Sequence, residues 1–177
     1  FERMRRFDMA ERAILYVAAP DPAQPPVEYI GATEPEVTSL FARADLLLNF
    51  FYGIRPVLLG QFRRTALVDI DPGLLQFWVS AGQLSMPQHD MYFTTGETVG
   101  TPDSAIPSCG LRWSRIRPPV ALERWPVVRD TSGTFTTVSN WWGGDGSGSG
   151  EWIVNADGTY YDNSKRRSFL NHVTLPQ

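Results

Sequence analysis

Four short apolar runs constrain this chain most: Ala13-Ile14-Leu15-Tyr16-Val17-Ala18, Leu46-Leu47-Leu48-Asn49-Phe50-Phe51, Thr65-Ala66-Leu67-Val68-Asp69-Ile70 and Asp90-Met91-Tyr92-Phe93-Thr94. Each is nearly continuous rather than alternating and ends in polar, Gly or Pro punctuation. Strands covered on both faces have this pattern, because helices packed on either side of a parallel sheet hide both rows of side chains. The runs are too short for buried helices. They predict strands near 13–18, 46–50, 65–70 and 90–94.

The intervening segments carry helix signals. Thr33-Glu34-Pro35-Glu36 has capping-box spacing, and Val37, Leu40, Phe41 and Ala44 follow as one apolar stripe, predicting a helix near 35–44. Asp71-Pro72 reads as an N-cap followed by proline at the first helical position. Leu74, Leu75, Trp78 and Ala81 supply the stripe of a helix near 72–81, and Gly82 is placed to end it. Pro56 is suited to open a short helix. Strand and helix in alternation predict an α/β fold with an open, mostly parallel, Rossmann-like sheet.

After Gly100 the composition changes. Pro102, Pro107, Pro118, Pro119 and Pro126 exclude a continuous helix and predict a crossing segment pinned by Trp113 and Trp125. A strand is expected at Phe135–Trp141, a flexible Gly/Ser-rich loop at 143–150, and a hairpin over Trp152–Tyr161 turning at Asp157-Gly158. Ser164–His172 reads as a closing helix, so the sheet carries a C-terminal hairpin and helix extension. The domain division expected is 1–130 and 131–177. The opening Phe1-Glu2-Arg3-Met4 resembles the exit of a helix, and a fragment of a longer protein is the natural reading.

Charge and cysteine content narrow the partners. The net charge is −3, without a basic face, which argues against nucleic acid. No apolar run approaches the ~18–20 residues of a membrane span. The lone Cys109 allows no internal disulfide and suits a reducing compartment, so a cytoplasmic location is expected. One cysteine and two histidines, His89 and His172, make a poor zinc-ligand set, and no cofactor is indicated.

In open parallel sheets ligands bind beyond the carboxyl ends of the strands. That rule selects the stretches 49–53, 69–73 and 94–97, and within them Asn49 and Tyr52, Asp69 and Asp71, and Thr95, Gly96 and Glu97 are the candidates. Asp69 and Asp71 are two residues apart and project the same way from an extended chain. Such a pair can hold a divalent cation with a diphosphate or supply a general base. The plainer alternative gives Asp71 the helix cap and Asp69 a backbone partner. Thr95-Gly96-Glu97 lacks the spacing of dinucleotide and P-loop sites, though its backbone donors suit phosphate or sugar hydroxyls, and Glu97 is a second candidate base. His89, ahead of its strand and opposite the ligand edge, is expected to be structural. Trp141 and Trp142 suit either sugar stacking or an aromatic anchor at a domain junction.

A set of ordered segments adds to this reading. Ala44–Asn49, Arg64–Pro72, Thr95-Gly96-Glu97, Gly100-Thr101-Pro102-Asp103, Ile106–Trp113, Arg117-Pro118-Pro119-Val120, Trp125-Pro126, Phe135–Val138 and Tyr161–Arg166 together resemble bacterial glycosyltransferase-like proteins of the GT-B, two-Rossmann-domain layout. The likeness spans roughly residues 33–177. It implies an acceptor domain that works with a second Rossmann-like domain of the same chain, a nucleotide-sugar donor and an acceptor of undetermined type. In that layout no resident metal is needed, because donors and helix dipoles stabilise the leaving diphosphate. Two alternatives stand beside it: a metal-dependent transferase using Asp69 and Asp71, and a non-catalytic sugar- or nucleotide-binding module with Trp141 and Trp142 as its platform.

Overall fold

The computed structural model describes residues 1–127, 129, 133, 152–154, 158–162 and 169–174. The chain divides into two compact units: 1–70, 86–94 and 111–114 form the first, and 71–85, 95–110 and 115–177 the second.

The first unit opens with a short helix α1 (Glu2–Arg5) and the strands β1 (Leu15–Val17) and β2 (Glu28–Ile30). These two strands pair antiparallel as a separate ribbon, with Tyr16 opposite Tyr29. The run at 13–18 therefore forms a strand but does not join the parallel sheet, contrary to expectation. The proline-rich turn at 20–26 brings the chain straight back along β1, and Leu15, Tyr16 and Val17 all remain at least 41% exposed.

Helix α2 (Glu34–Arg43) begins where its capping box predicts. Glu36 Oε2 accepts both the Thr33 backbone N–H and the Thr33 hydroxyl at 2.7 Å, and these bonds hold the Glu36 carboxyl below its usual range. Val37 is its buried residue, and Phe41 meets Phe62 edge-on at 4.9 Å.

The main sheet has the strand order β3 (Leu47–Asn49), β4 (Thr65–Asp69), β5 (Met91–Thr94), β6 (Trp113–Arg115). β3 runs parallel to β4 and β4 to β5, in the register Asn49–Leu67 and Asp69–Thr94. This is an α/β fold around a parallel sheet. Only β4 is covered throughout: all five of its residues are buried, with Leu67 1% exposed. β3 lies at the edge and leaves Leu46 and Leu48 exposed, so its continuous apolar run does not signify burial on both faces. Short helix α3 (Pro56–Leu59) starts at Pro56 as the sequence predicts and buries Leu58 and Leu59. β6 was not foreseen. Trp113 fixes it, its ring edge-on to Tyr92 at 5.5 Å, whereas Trp125 is 73% exposed.

A reciprocal clasp aligns the starting ends of β4 and β5. Asp90 Oδ2 accepts the Thr65 N–H at 2.7 Å and the Thr65 hydroxyl at 2.9 Å, while the Asp90 N–H donates to the Thr65 carbonyl at 3.1 Å. The bonds from Thr65 hold the Asp90 carboxyl below its ordinary value.

The second unit contains α4 (Leu74–Ser80), the helix through which the chain passes from β4 towards β5. Its start corrects the sequence expectation. Asp71 is not the N-cap and Pro72 is not the first helical residue; Gly73 holds the cap position with φ of +110°. That conformation suits only glycine, and the Gly73 N–H donates to Gln76 Oε1 at 2.7 Å instead. Gly82, with φ of +70°, follows the C-cap Ala81, as expected of a terminating glycine. β7 (Trp152–Val154) and β8 (Tyr160–Asp162) form the predicted antiparallel hairpin. The expected strand at 135–141, the Gly/Ser-rich loop, and most of the closing helix lie outside the described residues. Among the described residues, no helix is long and apolar enough to cross a membrane.

Candidate functional site

At the carboxyl ends of the strands in the first unit stand Asn49 from β3, Asp69 from β4 and Thr94 from β5. Asp69 and Thr94 are register partners, and the Thr94 hydroxyl donates to Asp69 Oδ2 at 2.9 Å. Asp69 is 6% exposed and Thr94 fully buried. The β4 run delivers this carboxylate to the strand end, where parallel sheets bind ligands, and the adjacent threonine orients it. Burial and a fixed partner restrict its rotation, as a base of defined direction requires.

Asn49 has a different setting from the one its position suggests. Its Oδ1 accepts the Phe51 N–H at 3.0 Å, and its Nδ2 lies 2.9 Å from His89 Nε2. The other imidazole nitrogen, Nδ1, is 2.8 Å from the Pro87 carbonyl. Because a carbonyl only accepts, Nδ1 carries the proton and Nε2 is the acceptor for Asn49. The Tyr92 hydroxyl accepts the His89 backbone N–H at 2.9 Å. Burial pushes the imidazole below the ordinary histidine value, against the opposing effects of the Pro87 carbonyl and the Asp90 carboxylate. Both ring nitrogens of His89 are therefore engaged within the fold, and Asn49 is the partner of one of them. Spacing alone did not signal the link, which joins residues forty positions apart.

Tyr52 is half-buried, its ring tilted against Phe51 at 5.6 Å. Phe50 and Phe51 are each 58% exposed. They fall within the strand-end stretch 49–53 that the sequence selects but were not singled out as candidates; two consecutive aromatic residues closing the apolar run were the available signal.

The remaining candidates belong to the second unit. Asp71 is exposed, Thr95 half-buried and Gly96 buried. A side chain at position 96 would lie 2.6 Å from Val99 Cγ2 and 2.7 Å from Pro72 Cβ, so packing by itself demands glycine there. Glu97 is exposed and pairs with Arg115 at 3.5 Å, a surface contact of small energetic weight. Cys109 donates to the Gln76 carbonyl, and burial raises its thiol, which makes it a poor nucleophile. Trp141 and Trp142 lie outside the described residues. Among the described residues, no three His, Cys, Asp or Glu side chains gather as a metal site.

A cavity of about 680 Å³ elsewhere in the first unit is lined by Glu11, Arg12, Gly31, Glu36, Ser39 and Arg43, among others. It contains none of the candidate residues. Its two carboxylates offset its two guanidinium groups, and no strand of the parallel sheet lines it, so its charge selects no ligand class. Comparison with known protein families, characterised proteins and solved structures finds no match to this chain.

Proposed function

We propose that this chain forms the acceptor side of a glycosyltransferase-like protein of GT-B layout, with Asp69 as the base acting on the acceptor. The supporting observation is the oriented, buried carboxylate at the carboxyl end of the central parallel strand, bonded to Thr94 at 2.9 Å. In such a transfer, Asp69 removes the proton from an acceptor hydroxyl as the acceptor oxygen attacks the anomeric carbon. The bond from that carbon to the diphosphate oxygen breaks, and the nucleoside diphosphate leaves with the electron pair. His89 takes no part, since both of its ring nitrogens are engaged in the fold.

A second reading, a sugar- or nucleotide-binding module without turnover, draws on the same burial: a carboxylate only 6% exposed also serves as a fixed structural acceptor. Asp69→Asn in the natural full-length chain separates the two. The transferase reading expects sugar transfer from nucleotide-sugar donors to fall by ~100-fold or more while the fold is retained. Unchanged turnover in a normally folded variant would remove Asp69 from the chemistry and move attention to Glu97. Donor binding by both proteins with turnover by neither would favour the binding module.

A further inference from the structure

We propose that His89, acting through Asn49, is a proton-sensitive latch on the loop that follows β3. Two independent constraints fix the hydrogen positions. The Pro87 carbonyl can only accept, so His89 Nδ1 must donate to it at 2.8 Å. The Phe51 N–H can only donate, so the Asn49 atom 3.0 Å away is its oxygen, and the amide NH₂ faces His89 Nε2 at 2.9 Å. Both constraints require the same neutral tautomer. The chain Pro87–His89–Asn49–Phe51 is fully satisfied in that one arrangement.

A second proton on the ring leaves no satisfied arrangement. Nε2–H would point at the Asn49 NH₂, donor against donor. Turning the amide end for end gives Nε2–H an oxygen but sets the NH₂ against the Phe51 N–H. His89 and Asn49 are 4% and 5% exposed, so neither can take water in place of its partner. Phe51 lies on an exposed loop where its N–H can. The link that yields is therefore Asn49 to Phe51. Downstream, the loop stays anchored: Arg55 donates to the carbonyls of Ala19 and Asp21, and the Ile54 N–H donates to the Phe51 carbonyl at 3.1 Å. Release is confined to the segment around Phe50–Gly53, where the Phe51 ring lies over Gly53 so closely that a Cβ there would be 2.7 Å from its Cζ.

The groups facing the imidazole define the balance. Asp90, the adjacent residue, is the charged group that favours the cation, together with the Pro87 carbonyl. The Tyr92 ring stands edge-on at 5.9 Å, and its hydroxyl is bonded to the His89 N–H. Asn49 on β3 opposes the cation through its NH₂. Acid thus loosens the aromatic loop at the strand end that the proposed function assigns to substrate; only this functional consequence rests on that reading, since the latch follows from the hydrogen inventory.

The test is nuclear magnetic resonance on the ¹⁵N-labelled chain as pH falls from about 8 to about 5, the range in which imidazoles titrate. Long-range proton–nitrogen spectra, assigned with His172→Gln, should show the Nδ1–H tautomer of His89 at the upper end. On His89 protonation the protection of the Phe51 amide from hydrogen exchange should fall about tenfold or more, the equilibrium weight of one lost hydrogen bond. Asn49→Asp supplies the second arm. Its carboxylate accepts from the Phe51 N–H and from Nε2–H at once, so this variant should titrate His89 at higher pH and keep Phe51 protected in acid. An Nε2–H tautomer at high pH, or Phe51 protection that ignores the His89 titration, would overturn the latch. So would loss of Phe51 protection in acidic Asn49→Asp. None of these outcomes touches Asp69 or sugar transfer.

Discussion

Thr94 and Asp69 close the carboxyl end of the sheet: directly opposed across β4 and β5, they share a 2.9 Å hydrogen bond from hydroxyl to carboxylate. Thr94→Val keeps the side-chain shape and removes the donor, depriving a buried carboxylate of a partner. Stability should fall by about 1–3 kcal/mol, whereas Thr94→Ser, which keeps the hydroxyl, should cost less. Urea denaturation of the two variants measures the difference; a larger loss in Thr94→Ser than in Thr94→Val would show that the methyl, not the hydroxyl, matters at this position.

The cap of α4 makes a second prediction. Gln76 is fully buried and accepts the Gly73 N–H at 2.7 Å. Gln76→Met fills similar space but strands a buried donor, at a cost of about 1–3 kcal/mol. Asp71→Ala, at an exposed position outside the helix, should cost less than Gln76→Met. The reverse order in chemical denaturation would return the cap to Asp71.

Gly96 separates packing from ligand binding. An added methyl would lie 2.7 Å from Pro72 Cβ, which its ring holds in place, and 2.6 Å from Val99, which is buried. Gly96→Ala should therefore destabilise the chain by about 1–3 kcal/mol through overcrowding. Intact stability combined with lost nucleotide-sugar binding would instead identify the loop as a ligand cradle.

These residues show how far the sequence could be read. The strands at 47–49, 65–69 and 91–94 and the helix from Glu34 were legible because apolar runs and the Thr33–Glu36 capping box act within a few residues. Asp69 at a strand end followed from the β4 run in the same way. The run around Leu15 carried an identical signal yet formed a separate ribbon, because its pairing was decided by the turn at 20–26 and by β2, a segment too short and polar to register. β6 was hidden for a related reason: it is held by a Trp113–Tyr92 contact across the sheet, not by a periodic pattern of its own. Asn49 with His89, and Gln76 with Gly73, are side-chain pairings set by three-dimensional placement or by an uncommon capping residue. Composition and spacing contain no trace of the first, and at Gly73 the familiar Asp-Pro signal upstream pointed to the wrong residue.

Three groups titrate below their ordinary values in the fold, Glu36, His89 and Asp90, and they make the acid stability of the chain a decisive measurement. His89 starts from an ordinary value of 6.5 and is lowered in the fold, chiefly by burial. As pH falls below 6.5 the unfolded chain takes up a proton that the folded chain refuses. The His89 contribution is therefore constant above that pH and declines below it, by at most about 1.4 kcal/mol per pH unit, until folded His89 is protonated as well. Asp90 acts in a separate window. Its carboxyl lies below 3.8 because Thr65 donates two hydrogen bonds to it, so its contribution is complete above 3.8 and is lost as pH falls through the lower folded value. Urea midpoints across pH should show both declines. His89→Gln should remove the upper one and leave the lower, and Asp90→Asn should leave the upper and shrink the lower, which Glu36 shares. An upper decline of unchanged size in His89→Gln would mean that another group carries it, and that the buried imidazole is not held neutral by the fold.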